Sequence, residues 1–355
     1  MVPRLYDLTR DDLAAALEGE PRFRVDQLWH GLYREHRAPG DITNLPADLR
    51  TRLEAEFPPA LEAVTESASR DGTTKKWLFQ LDGGVRIETV LMHYEDRSTV
   101  CVSTQAGCAM GCGFCATGQA GFNRHLTTGE IVEQVIRAAR AAAPRRVDNV
   151  VFMGMGEPFA NYDAVWAAVE RLHGPMGISA RHLTLSTVGI IPGIRRLAGE
   201  GLPVNLAVSL HAANDTLRDE LVPINRRYPL ADLMEACADY LEAKGRRLTF
   251  EWALIDAVND RPSDAEELAA LAKPLGAHVN LIPLNPTPGY PTRGTPPQRV
   301  VAFRDALRSR GVNATVRQNR GTDIDAACGQ LRAASVDIAP TNRENEHADD
   351  RRRAL

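Results

Sequence analysis

Three cysteines fall within eight residues in Gly107-Cys108-Ala109-Met110-Gly111-Cys112-Gly113-Phe114-Cys115, spaced Cys-x3-Cys-x2-Cys. Three thiolates from one loop can ligate three irons of a cubane [4Fe–4S] cluster and leave the fourth iron without a ligand from that loop. An open iron can chelate a small molecule through an amine and a carboxylate, the pair an amino acid offers. Gly107, Gly111 and Gly113 let the backbone wrap closely around such a cluster. The competing reading is a structural zinc site with Cys101 as fourth ligand, since zinc prefers a closed set of four. Two features weigh against it: "STVCVSTQ" reads as a strand, and a second Cys-x2-Cys pair is missing. Of the remaining cysteines, Cys237 lies on the apolar helical run "LADLMEACADYLEA" and reads as core. Cys328 taken alone reads the same way.

The elements around these residues are an alternation. Strand-like runs "DNVVFM", "HLTLST", "VNLAVSL", "LTFEWALI" and "HVNLIPL" are interleaved with helical patterns over 128–143, 161–173, 230–244, 264–274 and 297–310, and a shorter helix follows Pro192. Thr127-x-x-Glu130 is a capping-box start for the first of these helices. Such alternation implies an α/β fold with a parallel sheet, and periodicity leaves open a partial barrel or an open doubly wound sheet. Polar and glycine-rich residues follow the strands: Gly154-Met155-Gly156-Glu157-Pro158, Ser186-Thr187, Ser209-Leu210-His211 and Asn285-Pro286. Ligand sites of parallel α/β folds form at those strand ends, which favours a barrel-like crevice.

Residues 1–68 read as a helical accessory domain, 69–330 as the main α/β domain, and the polar stretch 331–355 as a disordered tail. Asp82-Gly83-Gly84 marks a hairpin in the strand-rich approach to the cysteines. Apolar residues make up 44% of the 355, enough for a large core. No run of about 18 apolar residues suggests a transmembrane helix, and the start of the chain lacks a signal-peptide core. The expectation is a cytoplasmic protein with reduced thiols, in which clustered cysteines point to metal or redox chemistry. A net charge of −4 argues against a globally basic nucleic-acid binder and leaves room for a local patch. Candidate basic groups are Arg226-Arg227, Lys244, Arg246-Arg247, Arg293, Arg317 and Arg320.

Cys-x3-Cys-x2-Cys after one strand and "GMGEP" after the next resemble the radical S-adenosylmethionine enzymes. The stretches "RIETVLM", "CVSTQAGCAMGCGFCATGQAGFNRHLTTGEIVEQV", "VFMGMGEPFANYD", "LSTVGI", "AVSLHA", "IPLNP", "RGTDIDAACGQL" and "FRVDQLWHGLY" resemble, more narrowly, the RlmN/Cfr family of RNA adenine methyltransferases. The resemblance spans nearly the whole chain apart from the tail. It implies a partial (β/α)6 barrel with a small N-terminal helical domain. It also implies one [4Fe–4S] cluster on Cys108, Cys112 and Cys115, and two S-adenosylmethionine molecules per turnover. Gly156, Glu157, Ser186, Ser209, Leu210, His211 and Asn285 become cofactor-binding candidates.

The implied chemistry is a radical one, because adenine C2 is not nucleophilic enough to attack a sulfonium methyl. One S-adenosylmethionine methylates Cys328. A second is split by the reduced cluster to a deoxyadenosyl radical that takes hydrogen from the S-methyl group, and the carbon radical adds to the base. Glu88 accepts a proton from the resulting crosslink, and Cys101 resolves it, leaving a Cys101–Cys328 disulfide to be reduced. The implied partners are 23S rRNA in the peptidyl-transferase region, tRNA with an adenosine beside the anticodon, and an external electron donor; a monomer without membrane attachment is expected. The alternatives are a C8 methyltransferase of the resistance type and, in another class, a zinc-stabilised RNA-binding module. A radical activase acting on a protein glycine has no evident need for both outlying cysteines.

Overall fold

The apolar runs identified above form the middle of one large sheet in the computed structural model, which describes residues 4–333 apart from positions 288 and 292. The expected tail lies outside the described residues from 334 onward. The strands are β1 (Glu62–Ala68), β2 (Thr74–Gln80), β3 (Arg86–His93), β4 (Ser98–Cys101), β5 (Gln105–Gly107), β6 (Phe122–His125), β7 (Asn149–Phe152), β8 (Leu183–Thr187), β9 (Asn205–Ser209), β10 (Leu248–Leu254), β11 (His278–Pro283) and β12 (Ala314–Val316). Ten of them pair in the order β1-β2-β3-β4-β7-β8-β9-β10-β11-β12, and β5 pairs only with β6. Pairing is antiparallel from β1 to β4 and parallel from β4 to β12.

Six strands, β4 and β7 to β11, are each followed by a covering helix before the next parallel strand, giving the six β/α units of a partial barrel. Helices on both sides of a strand explain its composition: Leu206, Ala207 and Val208 of β9 are all fully buried, so the run is apolar without alternation. Helix Thr128–Ala142 begins at the anticipated capping box. Glu130 N donates to Thr127 Oγ1 at 3.1 Å, and Thr127 N donates to Glu130 Oε2 at 2.9 Å.

Strands β6 and β12 and the short helix Ala116–Ala120 go beyond the sequence reading, and two further departures have a clear physical reason. Residues 62–68, read as part of a helical region, form edge strand β1, which pairs with β2. "EAVTESA" has no amphipathic period because it is mostly exposed, with a register shift between Ala63 and Thr65; its strand state is imposed by its neighbour. A short helix, Asp215–Leu221, was also not anticipated; Asn214 caps it, accepting Leu217 N at 3.0 Å.

The N-terminal helices are Arg10–Ala16, Phe23–Tyr33 and Ala47–Glu56, and the segment leading into them is fastened to the barrel helices. The Asp7 carboxylate accepts Gly129 N at 2.6 Å, capping the start of helix Thr128–Ala142. Arg171, on the next barrel helix, donates to the Tyr6 and Asp7 carbonyls.

Candidate active site

At the carboxyl ends of the parallel strands lies a cleft of about 1010 Å³, partly open to solvent. It is lined by Cys108, Cys112 and Cys115, by Gly156 and Glu157 after β7, by Ser186 and Ser209 at the ends of β8 and β9, and by His211, Asn285 and Cys328. The cysteine loop is held by the β5–β6 hairpin. Gly107 has φ 79°, and a Cβ there would collide with the Gly121 carbonyl, so this crossing requires glycine. Cys108 N then donates to that same carbonyl at 2.7 Å. Gly156, at φ 102°, seats its turn on Gln105, whose side-chain oxygen accepts Glu157 N at 2.9 Å.

The polar groups fall into used and unused sets. Glu157 is buried, and its carboxylate accepts Phe159 N at 3.0 Å and Val188 N at 2.9 Å. Burial nevertheless pushes it up to about 7, against the lowering effect of those backbone donors. His211 Nδ1 accepts Ala253 N at 2.9 Å, so the ring proton sits on Nε2. Burial, then Arg218, hold His211 down to about 3, so the imidazole is neutral. Asn285 donates to the Cys328 carbonyl at 3.0 Å and accepts from Asn319 at 2.7 Å. Its amide is thus engaged in anchoring the Cys328 segment. Ser186 and Ser209 are half-buried and line the cleft, and their hydroxyls have no hydrogen-bond partner among the described residues. Leu210 does not line the cleft: its side chain is core and its N–H donates to the Glu251 carbonyl.

Cys101 stands apart from the three clustered thiols. It ends β4, buried, and lines a smaller pocket with Cys328, Met153 and Arg317. Met153, Arg317 and Cys328 also line the main cleft, so the two spaces meet at Cys328. Burial, and then Cys328, push the Cys101 thiol up to about 12, while Arg317 opposes them. Arg317 is itself raised, first by Cys328 and, against burial, by Glu251 and Cys101. Glu88, a surface glutamate by strand composition alone, is buried. It pairs with Lys76 at 2.9 Å, and its Oε2 accepts Arg332 N at 2.9 Å. Its strand is tied to the site by Ser103, which donates to the Glu88 carbonyl at 2.6 Å and accepts Met155 N at 3.0 Å.

Lys76, Glu251 and Arg218 were missed by sequence reasoning. Glu251 left a signal, being a carboxylate inside the apolar run "LTFEWALI". Arg218 left none, because "DTLRDEL" reads as a solvated helix.

A three-cysteine loop at the strand ends of a partial β/α barrel defines a radical S-adenosylmethionine fold, and the family model described as "Radical SAM superfamily" matches residues 102–272. The "Probable dual-specificity RNA methyltransferase RlmN" of Parafrankia sp. (strain EAN1pec) is 52% identical over 351 residues, covering 93% of this chain and 91% of the relative. The "Dual-specificity RNA methyltransferase RlmN 1" of Myxococcus xanthus (strain DK1622) is 52% identical over 338 residues, covering 93% and 94%. The crystal structure of a radical SAM methyltransferase from Sphaerobacter thermophilus superposes with a TM-score of 0.91 at 52% identity, covering 93% of this chain and 99% of that one. The chain belongs to the RlmN family of radical SAM methyltransferases.

Membership implies S-adenosylmethionine and a [4Fe–4S] cluster, and the residues present fit them. Burial, and then Cys115 and Cys108, raise the Cys112 thiol; burial, with Glu157 and Cys115 opposing the Met110 backbone donor, takes Cys108 up to about 11. Thiols held up in this way are deprotonated on coordinating a metal. Among the described residues no three His, Cys, Asp or Glu side chains converge on a single-ion position; a cubane takes its thiolates on three separate irons, a wider arrangement. Cys101 lines the neighbouring pocket with Cys328, away from the place a fourth zinc ligand would need.

Proposed function

We propose that this protein methylates C2 of adenosine in 23S rRNA, and in tRNA beside the anticodon, through a methylated Cys328 and a transient protein–RNA crosslink. The observation that carries the reading is the meeting of Cys101 and Cys328, distant in sequence, in one pocket that opens onto the cysteine-lined cleft. Bound S-adenosylmethionine and the cluster supply the methyl group and the one-electron chemistry, two S-adenosylmethionine molecules being used per turnover.

The protein's own groups divide the remaining work. Cys108, Cys112 and Cys115 hold the cluster. The Gly156–Glu157 turn, the Ser186 and Ser209 hydroxyls and the His211 Nε2–H bind the amino, ribose and carboxylate groups of S-adenosylmethionine. Leu210, whose N–H and carbonyl are bonded to Glu251 and Arg218, contributes only by positioning its neighbours Ser209 and His211, and Asn285 contributes through its hold on Cys328. Cys328, at the junction of the two spaces, carries the methyl group on one side and faces the resolving thiol on the other. Glu88 lines neither space and its carboxylate is engaged by Lys76 and Arg332 N, so as the proton acceptor whose action lets the crosslink break it acts through that network at the root of the segment. Once the adduct has given its unpaired electron back to the one-electron chemistry of the site, Cys101 loses its thiol proton and bonds to Cys328 sulfur; the carbon–sulfur bond to the product breaks with its electron pair going to the methylene carbon, which takes up a proton to become the methyl group, and a disulfide remains for an external thiol reductant. Burial keeps Cys101 protonated, which holds it in reserve.

The N-terminal helices present Phe23, 53% exposed, with the Arg24 guanidinium 4.9 Å from its ring, a pairing suited to an RNA surface. No described helix is long and apolar enough to cross a membrane; the reading is of an enzyme that meets its RNA substrates in the cytoplasm and works as a monomer. Anaerobic reconstitution with labelled S-adenosylmethionine, followed by nucleoside analysis of both RNAs, tests the reading. The expected product is 2-methyladenosine. 8-Methyladenosine alone would assign the resistance-type reaction, and a colourless zinc protein would end the radical reading.

A further inference from the structure

Arg218, on helix Asp215–Leu221, is fully buried. Its Nε donates to the Leu210 carbonyl at 3.1 Å and its Nη1 to the Asn225 side-chain oxygen at 2.7 Å. Nη2 donates to the Val188 carbonyl at 2.7 Å and to the Ser209 carbonyl at 3.3 Å. All four acceptors are neutral oxygens. The nearby carboxylates stand one group further away, across the Asn225 amide, whose Nδ2 donates to Asp215 at 2.9 Å and to Asp219 at 2.7 Å.

A guanidinium taken out of water costs several kcal/mol unless an anion answers it. The anion is indicated by the surroundings. Val188 and Ser209, whose carbonyls Arg218 holds, line the cleft with Cys108, Cys112 and Cys115. Leu221 and Val222, which close the same helix, pack with Cys112 and Phe114 in one small apolar cluster. Burial draws Arg218 down to about 10, and the strongest opposing influence is Cys112, ahead of Asp215, Cys237 and Asp219. In an apolar setting a fixed charge acts on its neighbour with little screening.

We infer that Arg218 is the buried counter-charge of the cluster bound by Cys108, Cys112 and Cys115, and that it raises the potential at which that cluster is reduced. The inference rests on the assignment of those thiolates above. An oxidised cubane core with three thiolates is already an anion, and one electron from a low-potential donor adds a further negative charge with no bond made or broken. A fixed positive charge favours the more negative form. Arg218 touches no reacting atom and acts through its field, so it is a positioning residue for electrons.

The test is an anaerobic redox titration of reconstituted full-length protein, read by electron paramagnetic resonance, with iron and sulfide measured on each sample. R218Q removes the charge; R218K keeps it. R218Q is expected to make the cluster at least about tenfold harder to reduce, equivalent to about 59 mV for a one-electron couple, with R218K changed by less than about threefold. D219N/N225D covers the case in which R218Q fails to fold. It exchanges an amide and a carboxylate, bringing the anion into direct contact with Arg218 at unchanged net charge, and is expected to shift the potential the same way. A loaded wild type whose potential is indifferent to R218Q, or to D219N/N225D where R218Q does not load, overturns the inference. A wild type that takes up no iron and sulfide refutes the thiolate assignment instead.

Discussion

Replacing Glu88 by glutamine keeps the shape of the side chain and removes its charge. The Glu88 and Lys76 side chains are 3% and 11% exposed and 2.9 Å apart. In Glu88→Gln the ammonium stays buried without its partner, and losing one half of a buried pair costs about 3–5 kcal/mol. Lys76 also donates to the Asp325 carbonyl at 3.2 Å and keeps some contact with water, which places the expected loss near about 3 kcal/mol. Lys76→Met/Glu88→Gln removes both charges and should cost about 2 kcal/mol less than the sum of the single changes. Anaerobic urea unfolding of the apoprotein measures this as midpoint shifts at constant slope. Because Glu88 also accepts Arg332 N, hydrogen exchange at 331–333 should quicken in Glu88→Gln. A loss below about 1 kcal/mol, or additive single effects, would refute the view of this pair as a buried electrostatic anchor.

Cys101→Ala should accumulate protein covalently bound to RNA on denaturing gels, whereas Cys328→Ala should accumulate none; normal turnover by Cys101→Ala would remove its resolving role. Gly156→Ala puts a methyl group 2.6–2.8 Å from Gln105 atoms at a φ of 102°. S-adenosylmethionine binding by the reconstituted enzyme, measured by equilibrium dialysis, should weaken about tenfold or more, the equivalent of about 1.4 kcal/mol. Unaltered binding would free the turn from any role in holding the ligand. His278, whose Nε2 lies 2.8 Å from Thr315 Oγ1, is held down to about 4 by burial and then by Arg247 and Arg308. As pH falls below about 6.5, the unfolded chain takes up this proton before the folded one does, so stability falls towards pH 4. His278→Gln should flatten that part of the stability curve, and identical slopes would show that His278 does not set it.

The strand ends were legible because parallel strands buried on both faces are apolar throughout, so the first polar residues after each run mark the rim of the cleft. Ser186, Ser209, His211 and Asn285 were found in this way. That Cys101 and Cys328 line one pocket was not legible in spacing at all; only the surrounding motifs suggested it, because nothing local in "TVCVST" or "DAACGQL" records which loop lies opposite. Strand β1 escaped because an exposed edge strand needs no periodicity. Lys76 and Arg218 escaped for the opposite reason. Buried cations look like surface ones until their partners, supplied by remote segments, are known.

The sheet changes from antiparallel to parallel pairing at β4, so Cys101 is fixed between Val90 of β3 and Val151 of β7. Cys328 is attached differently. Its segment is fastened by discrete points: Gly329 O to Ala116 N, Leu331 O to Thr117 Oγ1, the Cys328 carbonyl to Asn285, and Arg332 N to Glu88. One thiol therefore belongs to the chassis and the other to a part bolted onto it. Substitutions at the fastening points outside the sheet, Thr117 and Asn285, can retune how Cys328 is presented while the strand that carries Cys101 keeps its pairing, so reach and framework are separately adjustable.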